Sequence, residues 1–106
     1  MITFDDFKKL QMCIATVKEV DDHQNADKLY VLKVDLGGEV RQIVAGVKQY
    51  YQKQDLIGKQ VVVLKNLQPA TIRGVESQGM MLATKDDNTL SILAPEKQVQ
   101  NGSKVS

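Results

Sequence analysis

The chain has no tryptophan, one cysteine, one histidine, two prolines and no long apolar run, and each scarcity removes a class of protein. One cysteine, Cys13, cannot form an internal disulfide. With His23 as the only histidine and no CxxC pair, a zinc site has no ligand set. No metal or cofactor is expected, and cysteine usage fits a reducing compartment. A membrane span needs roughly 18 consecutive apolar residues, which the sequence never reaches. The amino terminus carries Asp5 and Asp6 where a secretion signal would be basic and then apolar. The expectation is a cytoplasmic protein with no membrane partner. Catalysis is equally thinly supplied. There is no HExxH and no glycine-rich phosphate loop ahead of a helix, His23 has no serine or cysteine paired to it, and Cys13 lies in an apolar stretch where a thiol is inert.

What is present fits one small domain over residues 1–106. That length suits a binding module better than a complete multi-step enzyme. The formal net charge is only +1, but it is unevenly spread. Between residues 41 and 85 stand Arg41, Lys48, Lys53, Lys59, Lys65, Arg73 and Lys85 against Asp55 and Glu76. Residues 1–40 are net acidic. A local positive field able to meet phosphate and a solvated surface of scattered lysines fit this distribution equally well.

The apolar period supplies the architecture. Phe4, Phe7 and Leu10 at helical spacing, behind Thr3 and Asp6 as a variant capping box, predict a short helix over 3–10. Alternation from Met12 to Val20 predicts a strand, and residues 21–25 a loop. Tyr30, Leu32, Val34 and Leu36 share one face of a second strand. Gly37-Gly38 turns it into a third over 40–45. The alternation breaks over 47–57, read as a short helix ended by Gly58. Val61 to Leu64 form a further strand closed by Pro69, a loop passes through Arg73-Gly74, and strands follow at 77–84 and 90–93. Strand, strand, strand, short helix, strand, strand is the order of an OB-fold, an all-β five-stranded Greek-key barrel. The expected layout is an N-terminal helix (1–11), a barrel (12–86) and a C-terminal extension (87–106). Leu90, Ile92, Leu93, Val99 and Val105 in that extension, with the helix, would pack across the barrel end or form a dimer contact.

Two motifs stand out as sites. In Asn25-Ala26-Asp27-Lys28-Leu29, Asn25 can close an Asx turn, Asp27 can accept backbone N–H groups, and Lys28 enters a strand where it can reach phosphate. In Ser77-Gln78-Gly79-Met80, Gly79 inside a strand marks close approach of another backbone or a ligand. Beside it stand a hydroxyl, an amide and the flexible apolar Met80. Taken singly, each motif is equally a well-built loop or a bulge, with one of Met80 and Met81 in the core.

Taken in order, Asn25 to Leu29, Val44-Ala45-Gly46, Gly58-Lys59, Asn66-Leu67, Arg73-Gly74-Val75-Glu76 and Ser77 to Met80 resemble the tRNA-binding domain family. That family includes the C-terminal domain or β subunit of methionyl-tRNA synthetase and its free-standing dimeric relatives. The resemblance implies a homodimeric OB-fold that binds the outer corner of folded tRNA by shape and backbone. It would serve aminoacylation in trans beside a methionyl-tRNA synthetase catalytic chain, without catalysing anything itself. It points to Asn25, Lys28, Ser77 and Met80, with the neighbouring Gln78; the charge distribution adds Arg41, Lys65 and Arg73. Gln24 stands where the family usually has proline, and Lys65 where relatives often have a small or apolar residue.

The aromatic content agrees with a folded RNA partner. Single-strand binders stack bases on aromatic rings, whereas paired RNA is met through shape, phosphate and 2′-hydroxyl contacts. Phe4, Phe7 and Tyr30 are assigned to apolar faces, leaving only Tyr50 and Tyr51. The alternative is a protein-interaction or export-chaperone-like OB module, which requires an exposed apolar groove.

Overall fold

The structure, a computed structural model, describes residues 1–106. Its organising element is β1 (Met12–Asp22), long enough to serve two neighbours in succession. The first half, Met12 to Thr16, pairs with β4 (Gln60–Leu64). The second, Thr16 to Asp22, pairs with β2 (Tyr30–Asp35). Between Val17 and Glu19 the register slips, and such a bulge sharpens the bend and twist that wrap a sheet into a barrel. β3 (Val40–Ala45) continues from β2 and β7 (Met80–Met81) from β4, giving one antiparallel sheet in the order β3-β2-β1-β4-β7. Two hairpins stand beside it: β5 (Ala70–Ile72) with β6 (Val75–Ser77), and β8 (Ala83–Lys85) with β9 (Leu90–Ile92).

The alternating residues of these strands meet inside. Tyr30, Leu32, Val34 and Leu36 are all buried, as their shared face predicts, and join Val17, Ile43, Val61 and Val63 in a core of 16 residues. Leu56, on α2 (Lys53–Leu56), is completely buried and belongs to the same core. Gly37 and Gly38 both have positive φ, +87° and +96°, which the tight β2–β3 turn requires and glycine supplies without strain.

The sheet's weak place is the edge of β1 that β2 does not cover. Residues 102–105 fill it. Ile14 N–H donates to Ser103 O (3.0 Å), Gly102 N–H to Ile14 O (2.7 Å) and Val105 N–H to Met12 O (2.9 Å). Asn101 anchors this segment, its Oδ1 accepting from Thr16 Oγ1 (2.8 Å) and Gln60 Nε2 (3.1 Å). Residues 102–105 of the C-terminal extension thus add as a short strand along β1.

Elsewhere the expectations need correction. The helix expected over 3–10 is α1 (Phe4–Phe7), closed by the Thr3–Asp6 capping box. Its apolar stripe has no partner in the chain: Phe4 is 73% exposed, so Phe4 is not claimed by an apolar face. The helix expected over 47–57 is a turn near Val47–Tyr50 followed by α2. The loop expected through Arg73-Gly74 is the tight turn of the β5–β6 hairpin. The single strand expected over 77–84 is three pieces: Gly79, at φ +140°, separates β6 from β7, and Leu82, bonded to Val62 O and Leu93 N–H, separates β7 from β8. A Cβ at Gly79 would stand 2.9 Å from Leu64 O, so what approaches it is the protein's own backbone.

Gly37 allows a direct test of the C-terminal docking. Its Cβ would meet Asn101 O at 2.4 Å, whereas nothing lies within 4 Å of one at Gly38. Both alanine variants bear the cost of positive φ. Gly37→Ala should lose at least ~1 kcal/mol more in urea denaturation. Amide exchange of Gly102 should accelerate in Gly37→Ala alone.

Candidate nucleic-acid interface

Two loops carry most of the expected site residues, and hydrogen bonds tie them together. Residues 23–29 connect β1 to β2; residues 65–79 run from β4 through the β5–β6 hairpin to β7. His23 is 4% exposed, and its Nε2 meets Ile72 O at 2.9 Å while its Nδ1 accepts from Asn25 N–H at 3.0 Å. The carbonyl can only accept and the amide can only donate, so these two bonds call for the ring's proton on Nε2 and its lone pair on Nδ1. Asn25 and Arg73 then bond reciprocally: Asn25 Nδ2 donates to Arg73 O (3.4 Å) and Arg73 Nε to Asn25 O (3.3 Å). Arg73 has φ +53°, the one non-glycine residue in the left-handed region, which aims it out of the hairpin turn. Asn25, Lys28 and Arg73 are all exposed. Asp27 caps nothing; the loop is closed instead by Leu29 N–H to Ala26 O and by His23.

The second group sits where the barrel closes. β3 and β6 do not form a regular ladder, and side chains bridge the gap. Ser77 is 4% exposed; its Oγ accepts from Val44 N–H (3.0 Å) and donates to Gly79 O (3.0 Å). Gln78 N–H donates to Gln42 O (2.8 Å), and Gln78 Oε1 accepts from Gln42 N–H (3.0 Å). Gln42 Nε2 donates in turn to Glu76 O (2.8 Å). Arg41 belongs to the same seam. Its guanidinium bonds Lys65 O and Gln78 O and pairs with Glu39 at 3.0 Å. Ser77, Gln78 and Arg41 thus spend their polar atoms inside the protein, holding the surface that Met80 and Lys65 present. Of the two methionines, Met81 is core and Met80 is 44% exposed.

Ion pairing sorts the excess of basic residues. Arg41 is held by Glu39, and Lys48 and Lys53 both reach Asp22, at 3.2 and 3.3 Å. Their hydrogen bonds hold the Asp22 carboxyl below the usual aspartate range. Lys59, Lys65, Arg73 and Lys85 make no salt bridge, and neither does Lys28. Lys65 opens the 65–79 segment, Arg73 sits in its hairpin turn, and Lys28 stands in the loop latched to it. Tyr50 lies under the Lys85 ammonium (5.5 Å), while Tyr51 packs on the core and its hydroxyl accepts from Ile92 N–H (3.1 Å). No run of free aromatic rings lines this surface.

Residues 12–104 match the family model described as "Putative tRNA binding domain". The chain belongs to the tRNA-binding domain family. It is 51% identical over 104 residues to the methionine–tRNA ligase of Thermococcus onnurineus, covering 98% of this chain but 14% of that protein. The chain therefore spans a small fraction of the curated relatives it matches. Among solved structures it is similar to a MetRS related protein from Pyrococcus horikoshii, with TM-score 0.93, 32% identity, and 100% and 98% of the two chains covered. It is similar also to the chaperone CsaA from Bacillus anthracis, with TM-score 0.90, 29% identity, and 100% and 99% covered. The tRNA-binding domain thus keeps its barrel across relatives given different roles.

Sequence reasoning missed His23 and Gln42. A lone histidine in an acidic loop carries no signal of burial, because what buries it is a hairpin some fifty residues further on. The period-two position of Gln42 between Arg41 and Ile43 does mark it as facing away from the core, the one cue available.

If Ser77 closes the barrel, Ser77→Ala should cost about 1–3 kcal/mol by leaving Val44 N–H without an acceptor. A clear fall in melting temperature checks this, and an unchanged one would show the hydroxyl to be free for a ligand.

Proposed function

We propose that this domain binds folded tRNA at its outer corner, reading shape and backbone rather than base sequence. Lys28, Lys65 and Arg73 would contact phosphate, Asn25 and Met80 would line the contact, and Ser77, Gln78 and Arg41 would hold it in shape. The observation that carries this reading is the latch of His23, Asn25 and Arg73. It fixes two loops of an OB barrel side by side and leaves three unpaired cations on them. Cations carried on latched loops of a nearly neutral protein favour a partner whose phosphates are equally fixed, as in folded RNA. The domain would act in the cytoplasm, either free-standing or as a β subunit beside a methionyl-tRNA synthetase catalytic chain. There it would raise the local tRNA concentration and catalyse nothing. The functional unit would be the whole of residues 1–106 as a homodimer. The exposed stripe of Phe4 and Leu10, with the 87–106 extension, would supply the contact.

A second reading has a specific observation behind it. An open, mostly apolar groove lies beside Met80, and the similarity to CsaA suits a chaperone-like protein partner.

Anisotropy titrations with a folded tRNA and an unstructured RNA of equal length separate the readings. Tighter binding to the folded RNA is expected. Lys28→Ala and Arg73→Ala should each weaken all tRNAs alike and lower the slope of log affinity on log salt by about one. Failure to bind either RNA would remove the proposal and favour the protein partner.

A further inference from the structure

The groove beside Met80 is used by neither the core nor the cation set. It encloses about 400 Å³, within the size range of small-molecule sites. Its walls include Val47, Leu67, Ala70, Ile72, Met80 and Ala83, with no aromatic ring among the lining residues. Leu67 and Met80 stand at its mouth, 42% and 44% exposed, where large apolar side chains have no partner. Its polar lining side chains are Ser77 and Gln68. The Ser77 hydroxyl is spent both as donor and as acceptor, and Gln68 lies at the edge shared with the neighbouring groove that holds Lys65 and Arg41.

Cations lie close to this groove. Lys65 lines the neighbouring groove, which shares Leu67 and Gln68 with this one, and Arg73 follows Ile72 of the groove wall in the chain. Leu29, next to Lys28, approaches Gly46 of the groove wall, 3.6 Å from where a Cβ would stand. Of the acidic groups nearby, Glu39 pairs with Arg41 and Glu76 Oε1 accepts from Gln78 Nε2 at 3.2 Å, while Asp27, beside Lys28, makes no ion pair. An occupant with a small apolar body and negative charge beside it suits both the groove and the neighbouring cations. A nucleotide within a chain has this form. An apolar peptide would fill the groove and leave Lys65 and Arg73 unanswered.

We propose that the groove receives one unpaired nucleobase of the bound RNA, held between aliphatic side chains while Lys65 and Arg73 meet the phosphates on either side. The proposal rests on the RNA-binding reading above and gives it a subsite. Bases in a continuous stem stay stacked and paired, so the groove selects RNA that presents an extruded base. With its one buried hydroxyl engaged, it senses that a base is unpaired without identifying which base it is.

The test uses an RNA hairpin carrying a single bulged 2-aminopurine, the same hairpin without the bulge, and a folded tRNA. The bulged hairpin should bind about fivefold tighter or more than the unbulged one, through burial of the base's apolar surface in the groove. Its emission should rise, because the base leaves stacked neighbours for a groove lined by no aromatic ring. Ala83→Phe, from an exposed rim position, should fill the groove, abolish the preference and silence the emission change. Ala70→Phe, also exposed, gives an independent filling variant should the first melt early. Equal affinity for the two hairpins with silent emission, while tRNA still binds, would overturn the subsite alone. Loss of all RNA binding would overturn the parent reading with it. Binding of an apolar peptide that RNA cannot displace would assign the groove to a protein partner and overturn the proposal.

Discussion

The backbone of β1 is the constraint on which the molecule depends. One strand must satisfy β4 and residues 102–105 along its first half and β2 along its second; it passes from one set to the other at Thr16, and its register slips just beyond, between Val17 and Glu19. A straight strand there would give a flat sheet with an open edge. The bulge converts it into a barrel wall and leaves β3 facing β6 across a gap too irregular for a ladder. That gap is why Ser77, Gln78, Gln42 and Arg41 carry side chains able to bond backbone, and why the surface near Met80 has the shape it has.

Much of the barrel was legible from alternation alone. Tyr30, Leu32, Val34 and Leu36 face inward as their period demands, and Gly37-Gly38 supplies the turn between β2 and β3. The β5–β6 hairpin was illegible because Ala70-Thr71-Ile72 and Val75-Glu76-Ser77 are too short to show a period. It is held by contacts with loop 23–29 far away in sequence. The site was legible as a set of segments but not as a set of roles. Ser77 and Arg41 have the chemistry of RNA ligands, and only the positions of Val44 N–H, Glu39 and the Lys65 and Gln78 carbonyls show where their polar atoms go. Charge counting met the same limit, since Lys48 and Lys53 look free until Asp22 is found between them.

The surface thus divides into side chains that hold and side chains that wait. His23, Asn25, Ser77, Gln78 and Arg41 fix the two loops and the seam; Lys28, Lys65 and Met80 are left unpaired on top of them, and Arg73 does both, its Nε held by Asn25 O while its charge meets no acid. A surface built this way loses little loop entropy when a rigid partner arrives, and the side-chain cost falls on its free lysines. This arrangement accommodates a barrel that stays nearly neutral overall.

The pairing of Thr16 with Asn101, 85 residues apart, has a kinetic meaning. The strand that organises the barrel is near one end of the sequence, and the segment that covers its edge is near the other. Loop closure of that span is entropically unfavourable until the intervening strands have collapsed, which places this fold among the slow, high-contact-order topologies. During that interval the edge of β1 around Met12 to Ile14 is a bare template for pairing with another chain. The rate at which residues 102–105 dock, more than the strength of the core, then sets how safely the domain folds at high concentration.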